Sequence, residues 1–522
     1  MLIKNKNSFI VYVGGLLLGL ILLNLISRDN FHRFDLTDNK KFSLSSSSKA
    51  IVSKLDDRLT IKVYFSDDLP SELGNTRRFL QDILEEYQAI SDDVSFFFHA
   101  PESDTELEEQ AQKDGIQPVQ MQALENDQMV VKKVYLGMVL LFENKKEIIP
   151  LIQSTAGLEY MISTKIKSLV NVDKKTIGIM SLDVVNQPKT DNLSSQLNQH
   201  YNFRSVDPKN EIPDNIDVLL VSGAIDSVET GTLNNLESYL NSGKKILLTQ
   251  SGVNTDIQQQ QAFPIESNIF EFLSKYDVEI QKNLVLDAKC GNVQVQQSVG
   301  LFRMNRAVQY PFFPIVDTFN STDSISSIIV NKLEQILPLF PSEIKVDTNR
   351  SQMVSNITTL FTSSNNSGLM SSNFMLSPDP QQNPFLKLLG QSGKILSAIV
   401  SVVGGGELMV ISDSKFLSDE GGMSIPDNMV FLMNAVDYLA DDEDLISLRS
   451  REVTSRPLDI LQLSDEEEQS LSQDEKDKKK DRIKKRWKLA NLVIPSLLIL
   501  GFGFLRIRKE KNHAEVLKQI YD

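Results

Sequence analysis

Two uncharged apolar runs, one near each end of the 522-residue chain, constrain everything between them. Phe9 to Ile26 (FIVYVGGLLLGLILLNLI) reaches the threshold length of a membrane-spanning helix. Lys4 and Lys6 precede it, as they would in a secretory signal. The run ends in Asn24-Leu25-Ile26-Ser27-Arg28 rather than a small-x-small cleavage site, so an uncleaved anchor is expected. Leu489 to Leu505 (LANLVIPSLLILGFGFL) is the second run, at the short end of the spanning range. Arg486 and Trp487 precede it, Arg506 and Arg508 follow it, and all four suit a headgroup layer. Pro495 is expected to kink it, which membrane helices tolerate.

Two spans put both termini on one side of a membrane and the bulk of the chain on the other. Lys4, Lys6, Arg506, Arg508, Lys509 and Lys511 favour cytoplasmic termini. Lys476 to Lys488 carries nine Lys or Arg and pulls the other way. Large domains translocate despite such charge, so the body is expected outside the cytoplasm. Before the second run, Ser464-Asp465-Glu466-Glu467 reads as a capping box that opens a stalk helix. Acidic residues lead and lysines follow, as the helix dipole favours. Its basic half can lie against anionic lipid.

The body is legible as alternating elements. Leu59–Phe65 alternates as a strand, Arg77–Ile90 has helical apolar spacing, and Val94–Phe98 is a second strand. Val134–Phe142 reads as one strand that turns at Glu143-Asn144 into Glu147–Ile152. This β-α-β…β-β order suggests a thioredoxin-like α/β domain over 56–170, without a CxxC pair. From Thr176, strands at 176–180, 203–206, 217–222 and 245–250 alternate with helices, as in a doubly wound parallel sheet. Residues 285–390, rich in Ser, Asn, Gln and Pro, break the pattern and read as a long insertion within a domain of 171–445. The sheet resumes at 395–402, turns at Gly404-Gly405-Gly406, and closes with a helix over Met429–Leu439. The remaining segments are 1–28 (tip and first span), 29–55 (connector), 446–488 (connector and stalk), 489–505 (second span) and 506–522 (tail).

Composition narrows the function by exclusion. A net charge of −15 argues against a protein that neutralises nucleic-acid phosphates. A single cysteine, Cys290, excludes an intramolecular disulfide or multi-cysteine metal site. His32, His99, His200 and His513 form no HxxxH or HExxH pair. Gly243-Lys244-Lys245 and Gly393-Lys394-Ile395 lack the Ser or Thr of a phosphate loop, and each leads into a strand. No GxSxG elbow occurs. Asp413 follows a predicted strand, where it is expected to cap the next backbone rather than catalyse. No metal or cofactor is implied, and the body reads as non-enzymatic.

Local strings then resemble a known family. They are Arg33-Phe34-Asp35-Leu36-Thr37, Lys41-Phe42-Ser43-Leu44-Ser45, Tyr310-Pro311-Phe312-Phe313-Pro314, Phe431 to Leu439 (FLMNAVDYL), Leu448-Arg449-Ser450-Arg451-Glu452 and Arg456-Pro457-Leu458. In this order, between two spans, the chain resembles the gliding-motility-associated ABC-transporter auxiliary protein family GldG of Bacteroidetes. The resemblance implies a subunit that works with a separate permease and a separate ATPase, described as substrate-binding, in gliding motility and associated secretion. It implies a two-pass protein of the bacterial inner membrane with its bulk in the periplasm, and leaves room for a homodimer within the complex. It also implies that the central region is amidotransferase-like without its nucleophile. Motif residues Arg33, Asp35, Leu36, Thr37, Asn434, Asp437, Arg449, Arg451 and Arg456 are the candidates for coupling the body to its anchors. Arg449, Arg451 and Arg456 are expected to find acceptors in Asp441–Asp444. The other readings are a membrane-tethered ligand receptor and a structural envelope component independent of an ATPase.

Overall fold

Strand and helix boundaries follow the apolar periodicity closely in the computed structural model. It describes residues 12–19, 43–67, 69, 71–125, 128–155, 157–170, 174–299, 302–319, 324–330, 333–347, 351–379, 382–449 and 473–521. They fall into two units, Met1–Val453 and Thr454–Asp522.

In the first unit, Ser45 caps helix α1 (Ser46–Val52) by accepting the Ser48 N–H. Strand β1 (Leu59–Phe65), helix α2 (Ser71–Ile90) and strand β2 (Val94–His99) form a parallel β-α-β unit. Strands β3 (Val119–Glu125) and β4 (Gln128–Val134) make a separate antiparallel ribbon. Strand β5 (Leu136–Phe142) pairs antiparallel with β1, and β6 (Lys145–Ile149) with β5, so the sheet order is β2-β1-β5-β6. The sequence reading ran Val134 to Phe142 as one strand. The structure breaks it at Tyr135, whose backbone N–H donates to Ser66 Oγ while its carbonyl accepts the Ser66 N–H. Helix α3 (Leu158–Val170) closes this part.

The larger sheet has ten strands. Five of them, β7 (Thr176–Ser181), β8 (Asn202–Ser205), β9 (Val218–Ser222), β10 (Lys245–Thr249) and a later strand at Glu407–Ile411, are mutually parallel in the order β8-β7-β9-β10-(407–411). Helix α4 (Asp191–Leu197) joins β7 to β8, and α5 (Thr230–Asn241) joins β9 to β10. Alternation along β9 sends Val218 and Leu220 into one apolar core and Leu219 and Val221 into another, so both faces are covered. The first core runs on through Leu59, Ile61 and Val63 of β1 to Phe431 and Leu448.

The 285–390 segment is more than an insertion. Strands β12 (Ile344–Val346) and β13 (Val354–Thr362) within it, with β11 (Val278–Ile280) just before it, extend the same sheet antiparallel beyond β14 (Ile395–Val402). Only part stands apart: an antiparallel ribbon of Cys290–Val299 with Phe302–Pro314, and an aromatic core of Tyr310, Phe312, Phe340 and Phe385. Polar neighbours hid these strands, although Val278, Ile280, Ile344, Val354, Leu360 and Phe361 are buried in the two cores. The hairpin from β14 to β15 (Glu407–Ile411) turns at Gly404 and Gly405, both at positive φ. Helices α6 (Pro426–Leu439) and α7 (Glu443–Arg449) end the unit.

In the second unit, the expected stalk and the second apolar run are one helix, α8 (Gln473–Tyr521), which continues through Pro495. Its Asp481–Lys509 stretch is, among the described residues, the one helix long and apolar enough to cross a membrane. Residues 12–19 are helical with Leu16, Leu17 and Leu18 exposed, while the rest of the first run and the Ser464 capping box lie outside the described residues.

A Cβ on Gly406 would stand 2.2 Å from the Leu240 carbonyl oxygen, whereas one on Gly231 of α5 meets nothing. Gly406→Ala should therefore destabilise the body by about 1–3 kcal/mol. Gly231→Ala should leave it unchanged or up to about 1 kcal/mol more stable. Urea unfolding of the full-length protein in mild detergent checks both.

Candidate functional site

Helix α6 is apolar almost all round, with Phe431, Leu432, Ala435, Val436 and Leu439 buried. Two polar residues one turn apart, Asn434 and Asp437, are buried with them. A carboxylate in such a place must be paired. The chain supplies the partner itself: α6 stops after Leu439, Asp441 takes a positive φ of 54°, and α7 returns to bring Arg449 back against α6.

Arg449 Nη1 lies 2.8 Å from Asp437 Oδ2 and donates to Asn434 Oδ1 at 2.7 Å. Its Nη2 donates to the Tyr160 hydroxyl on α3 at 3.2 Å. Tyr201 O–H donates to the other Asp437 oxygen at 2.7 Å, and Asn434 Nδ2 donates to the Ile329 carbonyl. Burial lifts the Asp437 carboxyl above its ordinary value, while Arg449 and Tyr201 pull it back. Burial also works against the Arg449 charge, but Asp437 and Tyr160 outweigh it and its pKa rises. His200 Nε2 stands 3.0 Å from the Tyr160 hydroxyl. Burial, and then the neighbouring Arg449, Lys165, Lys174 and Lys167, push His200 down to about 4.

A second polar knot holds the other end of the body to the same helix. Glu159 Oε1 accepts the Ser45 N–H at 2.7 Å and the Ser48 hydroxyl at 2.6 Å, and Ser48 and Ser163 share a hydrogen bond at 2.7 Å. Helices α1, α3 and α7 pack on one another. The segment that enters the body and the segment that leaves it are therefore fastened to one three-helix junction. Lys167 of α3 also pairs with Asp442.

Of the residues singled out from sequence, Asn434, Asp437 and Arg449 come together. The expected acceptors do not: Arg449 takes Asp437, while Asp441 pairs with Lys245 and Lys175. Those lysines reach the exposed turn, and the guanidinium reaches the interior. Arg33, Asp35, Leu36, Thr37, Arg451 and Arg456 lie outside the described residues. Arg486, Trp487, Arg506 and Arg508 are exposed along α8. Tyr160, His200, Tyr201 and Glu159 were missed, because nothing local marks residues whose partners lie 40 to 289 positions away. Asp437 carried a readable signal, a carboxylate between Val436 and Leu439 on the buried face of the helix. Asp413 is buried and accepts the Leu339 and Lys415 N–H groups, and burial raises it to about 6. Burial pushes the Cys290 thiol up to about 11.

Residues 174–435 match a family model described as ABC-type uncharacterized transport system, and residues 38–141 match a domain of unknown function. A protein of Borreliella burgdorferi, itself described as uncharacterized, is 22% identical over 503 residues, 92% of this chain and 94% of its own. A ThuA-like protein of Bacteroides uniformis is 9% identical and covers 52% of this chain and 94% of its own, with a TM-score of 0.30. A glutamine amidotransferase of Thermotoga maritima is 10% identical and covers 54% of this chain and 100% of its own, with a TM-score of 0.24. Both structural similarities are too loose to carry an argument.

Removing one partner of a buried ion pair costs roughly 3–5 kcal/mol, and replacing both costs far less. Arg449→Met should lose that much stability, and Arg449→Met with Asp437→Leu should recover most of it, read as urea midpoints. The pH dependence has a definite sign. Between about 4 and 6.5 the unfolded chain protonates His200 and the fold does not, so stability falls as pH drops through that window. The loss through His200 is about 3 kcal/mol. Asp413, raised from 3.8 to about 6, acts oppositely, because the fold holds its proton longer. The difference between wild type and His200→Gln across pH 4–7 isolates the histidine.

Proposed function

The chain belongs to the ABC-type uncharacterized transport system family, and from that premise we propose that it is a non-enzymatic auxiliary subunit of a membrane transport complex. The observation that carries this reading is the three-helix junction. Chain entry at Ser45–Ser48 and chain exit at Arg449 are both fixed to α3 by buried polar contacts. The exit leads in sequence to α8, the apolar helix. A displacement arriving along that connector cannot slide α7 over α6 without unpairing Asp437 in the interior. That step costs several kcal/mol, so the body moves as one piece.

The non-catalytic part of the proposal is supported by chemistry already committed elsewhere. Asp413 spends its oxygens on backbone N–H groups, and Cys290 is a buried thiol. The finer reading is a two-pass subunit of the bacterial inner membrane, its bulk in the periplasm, joined to a permease and an ATPase that serve gliding motility and secretion. It rests on the local strings, with Asn434, Asp437 and Arg449 as its coupling residues.

Two measurements test this. Affinity purification of the tagged protein from native membranes should bring down a permease and an ATPase in stoichiometric amounts; recovery of the chain alone would sink the subunit reading. A flexible Gly/Ser insertion at Gln473 should leave that complex intact while abolishing the transport-dependent phenotype. Full activity after the insertion would sink the coupling mechanism.

A further inference from the structure

The carboxyl edge of the parallel sheet is closed on one half and open on the other. Beyond β10, Gln250 accepts the Ala224 N–H and donates to the Ala224 and Ser251 carbonyls. Beyond β15, Asp413 is satisfied as described. Beyond β7, β8 and β9 lies a cleft of about 430 Å³.

Topology puts it there. From β7 the chain goes to β8 on one side and returns to β9 on the other. Helix α4 buries Leu193 and Leu197 in the first core, whereas α5 buries Leu236 and Leu240 in the second, on the opposite face. The connections diverge at β7 and leave a crevice, the place where open α/β sheets take their ligands.

The lining states a chemistry. Thr190 leaves α4 without a side-chain cap, so its hydroxyl has no partner there. Ser205 and Ser222 likewise have no hydroxyl partner among the described residues, although Ser222 is only 5% exposed. Ser181 donates to the Asp183 carbonyl and keeps its lone pairs. Hydroxyls both donate and accept, and a ligand hydroxyl answers both. Anions are disfavoured: the Asp419 carboxylate already holds the Asp191 and Asn192 N–H groups at 2.7 and 3.1 Å. No arginine lines the cleft, and its one lysine, Lys209, is exposed at the rim near Asp207. Val184, Pro188 and Pro208 offer apolar surface to C–H faces.

We propose that this cleft binds a small neutral polyhydroxylated ligand of monosaccharide or inositol size, held by the hydroxyls of Ser222, Thr190 and Ser205. The assignment is independent of the transporter reading.

The test is titration of the full-length protein in mild detergent with glucose, mannose and myo-inositol, read by calorimetry and by thermal unfolding. At least one should bind saturably, and Ser222→Ala should weaken it about tenfold or more while the ligand-free melting temperature holds. Thr190→Val, at the half-buried rim, should weaken it as well and serves if Ser222→Ala folds poorly. Absence of saturable binding with all three sugars overturns the proposal. So does saturable binding of inorganic phosphate in their place. A melting shift that rises without saturation and survives in both variants is stabilisation by an excluded solute, and it overturns the proposal too.

Discussion

The body of this protein depends on one buried charge pair. Asp437 is wholly enclosed, and its ionised form exists there only because Arg449 reaches it from a helix further along the chain. The pair therefore dictates where α7 can sit. Asn434 and Tyr160 accept from the guanidinium and Tyr201 donates to the carboxylate, so α3, α6 and α7 and the turn before β8 are held to one geometry. A hydrophobic contact would tolerate sliding. A desolvated ion pair with several directional hydrogen bonds does not.

Helix α3 is the common element of the two polar knots. Glu159 and Ser163 face the entering segment, and Tyr160 and Lys167 face the leaving one. The smaller sheet and the larger sheet share a continuous apolar core on this side, so force applied at either end of the body meets a packed solid rather than a hinge. The opposite end of the larger sheet has the contrary character. There the polar groups at β10 and β15 are satisfied, while those around β7, β8 and β9 keep unspent hydroxyls.

Much of the site was within reach of the sequence, in unequal measure. Asp437 was conspicuous as a carboxylate amid Phe431, Leu432, Val436 and Leu439, and Arg449 was conspicuous as a guanidinium just beyond the last helix. The pairing was misjudged because Asp441–Asp444 lie nearer in sequence. Only the return of α7 over α6 decides which carboxylate the guanidinium meets. Val354–Thr362 was passed over for a different reason. Its Thr and Ser content suits an edge region, and its membership in the sheet comes from its ladder with Ile395–Val402.

The sequence by itself determined the apolar ends, the alternation of strands and helices, the poverty of nucleophile and metal-ligand patterns, and the punctuation by Gly243 and Gly404–Gly406. These are local properties, set by spacing, residue type and allowed φ, and they survive without knowledge of distant neighbours. Tertiary structure alone decided that Ser45, Tyr160, His200 and Arg449 meet around one helix, and that the sheet opens at β7 rather than at β10. The first follows from contacts that close over 40 to 289 positions, and the second from connections that leave β7 in opposite directions. Local periodicity carries no record of such meetings.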